Sequence, residues 1–212
     1  MKDVFIYQAI RSPRARAKEN GGLHDLLPQE VLQQLYQHLV ERTGLDPAVV
    51  GEVILGCVTQ HGEQAGNIAK ASVMFAGWPS SVGGMTVNRF CSSGIDAIGL
   101  GALKIAAGQE QAIVAGGVEM MSRVPMLADQ AKVFMDPAFA ARCQMLMMGS
   151  GADLIASLNN VTRETADMIA VQSQQRAAHA RDNGYFKSIV PVYNPVKDIT
   201  VTQDECIRAD AT

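Results

Sequence analysis

The sequence predicts an α/β fold, a layered sheet packed by helices, followed by a mostly helical subdomain. Two patterns carry that expectation. Between Val4 and Val118, short apolar runs of strand length alternate with segments whose apolar residues recur at helical spacing, the pattern of a sheet wound with crossover helices. After Ser122 the alternation stops, and a methionine-rich stretch from Gln144 to Gly149 leads into further helical segments.

Taken in order, Val4 to Ile10 is expected as the first strand. After an Arg/Lys/Gly-rich loop, Val31, Leu32, Leu35, Leu39 and Val40 recur at helical spacing up to Gly44, a residue suited to ending a helix. Val53 to Val58 reads as a second strand, Asn67 to Gly77 as a helix, and Gly84 to Arg89 as a third strand. Ser92 to Ala107 follows as a helix and Ala112 to Val118 as a fourth strand. Further on, a helix is expected from about Gly151, and Thr162 is placed to cap another that ends at Asn183-Gly184. Phe186 to Val192 and Asp198 to Asp204 are short strand-like runs split by the turn signal Asn194-Pro195.

The segment from Ser92 to Ala107 differs from the other helices. Ile95, Ile98, Leu100, Leu103 and Ile105 point in nearly all directions around it, and Lys104 is its one formal positive charge. Such a helix is expected to be buried on most sides. A single sheet covers one side only, so a second sheet or a partner chain is expected against the other.

Composition narrows the chemistry. At 212 residues and 48% hydrophobic content the chain can bury one large core or two small ones. Charged residues make up 18% and the net charge is -3, which leaves no basic field for nucleic acid or an anionic membrane. Small-molecule chemistry or protein partners remain. The first apolar run stops at Arg11, too short for a signal-peptide core or a membrane span, so a cytoplasmic protein is expected. Cys57, Cys91, Cys143 and Cys206 show no Cys-x-x-Cys spacing, which argues against a zinc site and against a secreted disulfide framework. Reduced thiols and no bound metal are expected.

Cys91 is the residue best placed for chemistry. It falls where the run Met85-Thr86-Val87-Asn88-Arg89 meets the apolar helix through Phe90-Cys91-Ser92-Ser93-Gly94. At a strand-to-helix turn, free N–H groups and the positive end of the helix dipole favour a thiolate and can hydrogen-bond an oxyanion, while the turn aims the sulfur away from the sheet. Gly94 leaves room for a substrate to approach. On placement alone a buried filler cysteine still outweighs a nucleophile, and the other three cysteines, which lack the placement, read as small apolar fillers.

Other patterns carry less. His61-Gly62-Glu63 has the His-x-Glu spacing of zinc deaminases, but the Pro-Cys-x-x-Cys that would complete such a site is missing. Gly99-x-Gly101 and Gly149-x-Gly151 look like pieces of a phosphate loop, yet neither follows a strand or has a third glycine, and packing explains them better. Met145 to Met148 could line a flexible apolar pocket, although methionines at this spacing are more often core filler. His24, His38, His61 and His179 have no partner motif around them and read as surface or loop histidines.

Val87-Asn88-Arg89-Phe90-Cys91-Ser92-Ser93-Gly94 resembles the nucleophile motif of the thiolases, and Gly116-Gly117-Val118-Glu119-Met120-Met121-Ser122 resembles that family's next signature, at a fitting spacing. The likeness extends to Arg11-Ser12-Pro13, Ser122-Arg123-Val124-Pro125, Met148-Gly149, Ser173-Gln174-Gln175-Arg176-Ala177 and Ile189-Val190-Pro191-Val192. It therefore covers essentially the whole chain. The resemblance implies a thiolase-like layered sheet with helices on both faces, present as its N-terminal half. Residues 1–119 would be the N-terminal α/β domain without its last strand and 120–212 part of the loop domain, with the C-terminal thiolase domain absent.

What the resemblance implies in function is acyl transfer between coenzyme A thioesters, with Cys91 as the catalytic nucleophile and an acyl-Cys91 intermediate. Acyl-CoA and coenzyme A would be the substrates, with no separate cofactor. Met148 matches a family position near the acyl or coenzyme A pocket, so a substrate-binding role and a packing role stand side by side. Family members pair through the strand ahead of the nucleophile, which makes Gly84 to Arg89 the expected edge of a homodimer or dimer of dimers. The family's Asn-Glu, Gly-His-Pro and Cys-x-Gly-x-Gly motifs have no match in these residues, so the chain alone is expected to turn over little substrate. Ser92-Ser93 and Ser122-Arg123-Val124-Pro125 look more like the degradative thiolases of fatty acid metabolism than the short-chain biosynthetic ones. One alternative is a non-catalytic thiolase-like binding module, or a subunit completed by a separate C-terminal half. A ketoacyl-synthase-like condensing enzyme ranks last, because both signature runs look like thiolase.

Overall fold

In the computed structural model, which describes residues 2–212, three parallel strands form the central sheet. β1 (Glu52–Gly56) lies in the middle, with β2 (Gly83–Val87) on one side and β3 (Ile113–Gly117) on the other. The register sets Ile54 beside Met85 and Ala115, so Val53 and Leu55 turn to one face and Ile54 and Gly56 to the other. Parallel neighbours need crossover connections. These are α2 (Ile68–Phe75), between β1 and β2, and α3 (Ser93–Ala106), between β2 and β3.

On the first face Val53, Leu55 and Cys57 pack with Ile68, Ala69 and Val73 of α2 and with Leu32 and Tyr36 of α1 (Pro28–Thr43). Tyr36 is bound to Ser72 by a buried hydroxyl–hydroxyl hydrogen bond of 2.8 Å. As the sequence suggests, α1 closes at Gly44, whose φ of 67° suits glycine and whose N–H donates to Val40 O. Asn67 caps α2. On the opposite face α3 lies close to the sheet: a Cβ added at Gly56 would stand 2.6 Å from the Ser93 carbonyl carbon, and Gly101 faces Ile113 and Ala115. Helices thus cover both faces of the sheet.

One expected strand is corrected. Val4 to Ile10 forms no strand; pairing begins only at Arg11, in a single bridge to Ile189. Phe5, Ile6 and Tyr7 stand exposed, Tyr7 by 88%. β-propensity records fit to a pleated, half-buried surface, and no described strand pairs with this run to provide one. As expected of a helix that a single sheet covers on one side, α3 is buried along one line only, Ser93, Ala97 and Gly101, whereas Ile95, Ile98, Leu100 and Leu103 are exposed. The second layer expected over that side is not formed by the described residues of this unit.

By its contacts the chain divides into two units: residues up to Ala128 together with Ser188–Glu205, and Asp129–Lys187 together with Cys206–Thr212. Within the first unit, the returning segment is pinned by charge. The Arg11 guanidinium donates two parallel bonds to Asp204, 2.7 and 2.8 Å, and Glu205 accepts from the N–H groups of Arg16 and Gly22. The Arg11 bonds hold the Asp204 carboxyl below the usual carboxylate range. The strand-like runs expected there shrink to an antiparallel pair, β4 (Val192–Asn194) and β5 (Ile199–Val201). The turn between them takes up the rest: Asn194 Oδ1 accepts from Val196 N–H, and Asp198 adopts a φ of 51°.

The second unit is helical, with α4 (Lys132–Met135), α5 (Pro137–Arg142), α6 (Met148–Leu158) and α7 (Arg163–Asp182). Thr162 caps α7 as expected, its hydroxyl accepting from Thr165 N–H at 3.2 Å. Among the described residues of these helices, Ala178 alone is buried. No described helix of the chain is long and apolar enough to cross a membrane.

Candidate active site

The three parallel strands end together, and the loops that leave them meet at that edge, where open α/β sheets place their sites. Cys91 lies in the loop from β2 to α3, just ahead of the helix, and is exposed. Phe90 before it adopts a φ of 48°, a left-handed conformation that costs a non-glycine residue on the order of 1 kcal/mol. Side chains hold the turn in this shape. Ser93 Oγ accepts from Arg89 N–H at 2.8 Å and donates to Phe90 O at 2.6 Å. Asn88 Oδ1 accepts from Phe90 N–H at 2.9 Å, and Asn88 Nδ2 donates to Val58 O at 3.1 Å. Ser92 and Ser93 N–H return to Arg89 O and Phe90 O. The Cys91 N–H takes part in none of these bonds and lies just ahead of the first turn of α3.

A polar cluster, with Thr59 and Gln64 buried and Glu119 exposed, ties the loop after β1 to the loop after β3. Glu119 Oε2 accepts from Val58 N–H at 2.9 Å, while Oε1 accepts from Thr59 N–H at 3.3 Å and from Gln64 Nε2 at 2.8 Å. Gln64, fully buried, also donates to Thr59 O and accepts from Met120 N–H. Its amide lies 3.6 Å from Cys57 Sγ. Burial, reinforced by the Glu119 carboxylate, pushes the Cys57 thiol up to about 12, so this cysteine stays protonated and inert, the filler that the sequence suggests. None of Gln64, Glu119, Asn88 or Ser93 stands out singly in the sequence. Their only signal there is membership in the two signature runs or, for Gln64, a polar loop between a strand and a helix.

The remaining expectations sort as follows. Cys143 and Cys206 are exposed rather than buried fillers, because the segments that carry them bury almost nothing. Met148 opens α6 in the second unit and is 81% exposed, so it fills no core within that unit; Cys91 belongs to the first unit. His24 is partly buried, its Nδ1 without a partner and its carbonyl accepting from Arg123, whose Nε is 2.6 Å from Glu63. His38 Nε2 meets Pro191 O at 3.0 Å. Among the described residues no hydrogen bond joins Cys91 to a histidine, and no group of three potential metal ligands gathers.

A family profile described as the thiolase N-terminal domain matches residues 4–212. The chain belongs to the thiolase family. Over its full length this thiolase chain is 35% identical to the 3-oxoadipyl-CoA/3-oxo-5,6-dehydrosuberyl-CoA thiolase of Escherichia coli (strain K12), of which it covers 58%. It is 37% identical to the beta-ketoadipyl-CoA thiolase of Pseudomonas aeruginosa, covering 57% of that protein. The crystal structure of the Bacillus anthracis acetyl-CoA acetyltransferase matches with a TM-score of 0.84 at 34% identity, over 98% of this chain and 55% of that one. The chain thus spans little more than half the length of these relatives.

Proposed function

We propose that this chain carries the acyl-accepting half of a thiolase site, transferring acyl groups between coenzyme A thioesters through Cys91. The observation that supports this most is the exposed Cys91 thiol in a side-chain-locked turn at the start of α3, in a chain of the thiolase family. In the synthetic direction the thiolate adds to the carbonyl carbon of acetyl-CoA and the carbonyl electron pair moves to oxygen. Collapse breaks the bond to the coenzyme A sulfur, which leaves as thiolate and takes up a proton, and acetyl-Cys91 remains. The enolate of a second acetyl-CoA then attacks that acyl group and releases Cys91. In the degradative direction the thiolate attacks the 3-keto carbon of a 3-ketoacyl-CoA, the carbon–carbon bond breaks, the departing enolate takes up a proton to become acetyl-CoA, and the thiol of coenzyme A takes the acyl group and frees Cys91 as its thiol. Each tetrahedral state carries an oxyanion, and this reading assigns the Cys91 N–H as one donor to it. The names of the relatives, two ketoadipyl-type thiolases and an acetyl-CoA acetyltransferase, support acyl thioesters of coenzyme A as the substrate class, and this reading takes 3-ketoacyl thioesters among them.

Met148 is assigned to the wall of the acyl or coenzyme A pocket, a role that its exposure leaves open to it. Pairing into a homodimer is assigned to β2, an edge strand that is bonded to β1 on one side only. With no histidine bonded to Cys91, turnover by the chain alone is expected to be slight. A second reading, a subunit whose chemistry is completed by a separate C-terminal half, is favoured by the exposed apolar side of α3. Mixing with acetyl-CoA should release about one coenzyme A per chain, in the manner of acyl-enzyme accumulation, without sustained turnover. Cys91→Ser should release none. Sustained turnover by the chain alone would overturn the half-site reading, and release that survives Cys91→Ser would overturn the nucleophile.

A further inference from the structure

The turn that presents Cys91 is not held by its own residues alone. Asn88 Nδ2 donates to Val58 O, and Val58 is itself fixed from its other side, its N–H donating to Glu119 Oε2. Glu119 is fixed in turn by Thr59 N–H and by Gln64, whose side chain is fully buried and whose oxygen takes Met120 N–H. A continuous chain of hydrogen bonds therefore runs from the loop after β3, through the loop after β1, to the loop after β2. It ends on Phe90 N–H, one residue before Cys91 and at the strained φ.

We propose that Glu119 is a positioning residue for Cys91, acting through Val58 and Asn88 to hold the strained Phe90 turn that sets the thiol at the start of α3. The proposal rests on the reading of Cys91 as the reactive thiol. Glu119 suits the task because a carboxylate only accepts, and three donors converge on it: Val58 N–H, Thr59 N–H and the Gln64 amide. A glutamine in its place has one accepting oxygen. Whichever way its amide turns, an N–H group then faces either Val58 N–H or the Thr59 and Gln64 donors, and at least one bond is lost. A loosened Val58 frees Asn88, and the turn relaxes from its left-handed residue, carrying the thiol away from the first turn of α3 and the N–H groups there.

The chain contains its own controls for a test that needs no acyl transfer. Cysteine-resolved alkylation by iodoacetamide, read by peptide mass spectrometry, follows Cys91 beside the exposed Cys143 and Cys206, while the buried Cys57 reports whether the sheet is intact. In Glu119→Gln the rate at Cys91 should fall roughly three- to tenfold, the span of one lost hydrogen bond, while the rates at Cys143 and Cys206 stay as they are. Cys57 should stay unreactive. An unchanged rate at Cys91 with Cys57 still protected, or an equal fall at Cys143 and Cys206, would overturn the proposal. If Glu119→Gln exposes Cys57, Asn88→Ala decides instead, since Asn88 is exposed and lies outside the core; its Cys91 rate should fall by the same factor, and no change would count against the relay. Because the two residues act in series, the double variant should be no slower than the slower single variant, whereas multiplying effects would contradict the series. A chain whose Cys91 alkylates as expected yet never takes an acetyl group would defeat the acyl-transfer reading and leave the positioning role standing.

Discussion

The two faces of the central sheet carry helices of similar apolar character that end in opposite states. α2 turns Ile68 and Val73 onto the sheet, leaving Met74 and Phe75 at its end exposed, and α1 lies against it, with Tyr36 joined to Ser72. α3 does the reverse: the residues that meet the sheet are Ser93, Ala97 and Gly101, and its large residues, Ile95, Ile98 and Leu103, point away. Small residues let α3 approach until its first turn touches Gly56, which brings Cys91 to the strand ends. The cost is that most of its apolar surface has no partner in this unit. Apolar content therefore marks a need for cover, whereas the placement of large and small residues shows which surface meets the need.

Substitutions on the two faces should separate sharply. The largest effect is expected from Ile68→Ala, a fully buried site on the covered face, which should cost about 2–5 kcal/mol in urea unfolding. Next comes Gly56→Ala on the α3 face, where the added methyl would meet the Ser93 backbone. A loss of about 1–3 kcal/mol is expected, with slower alkylation of Cys91 because the first turn of α3 must shift.

Alkali should also act on the covered face. Burial pushes both Tyr36 and Cys57 up to about 12, so each stays protonated in the fold at a pH where the unfolded chain has begun to ionise. The unfolded chain then binds fewer protons, and stability falls as pH rises. Full stability should hold below about 9, the ordinary thiol value, and be lost progressively as pH rises toward about 12. Urea midpoints across that range should show the fall, and Cys57→Ala should remove the part that begins near 9. The smallest effect is expected from Leu103→Ala on the exposed side of α3, within about 0.5 kcal/mol. A cost there equal to that of Ile68→Ala would erase the distinction between the faces.

Much of the fold is legible in the sequence because its signals are local. Gly44, Asn67 and Thr162 end or start their helices by backbone conformation or side-chain capping, and the alternation of β1, α2, β2, α3 and β3 follows from periodicity. Cys91 was legible from its signature run and stands in the strand-to-helix turn that the run suggests. Val4 to Ile10 was misleading because an apolar run records a preference for a pleated surface and not whether one is present. The Gln64–Glu119 cluster was invisible for another reason. The bonds of Glu119 and Met120 join positions 55 to 61 residues apart, and only the pairing of β1 with β3 brings them together. Cys143 and Cys206 were misread because cysteine burial is a property of the core around it, which their segments lack.

The most direct test is a peptide-resolved mass spectrum of the protein after incubation with acetyl-CoA, with Cys91→Ser in parallel. One acetyl group on the peptide carrying Cys91, absent from Cys57, Cys143 and Cys206 and lost in Cys91→Ser, is the result expected of an acyl-accepting thiol at the head of α3. Acetylation that favours Cys143 or Cys206, or that persists in Cys91→Ser, would contradict it.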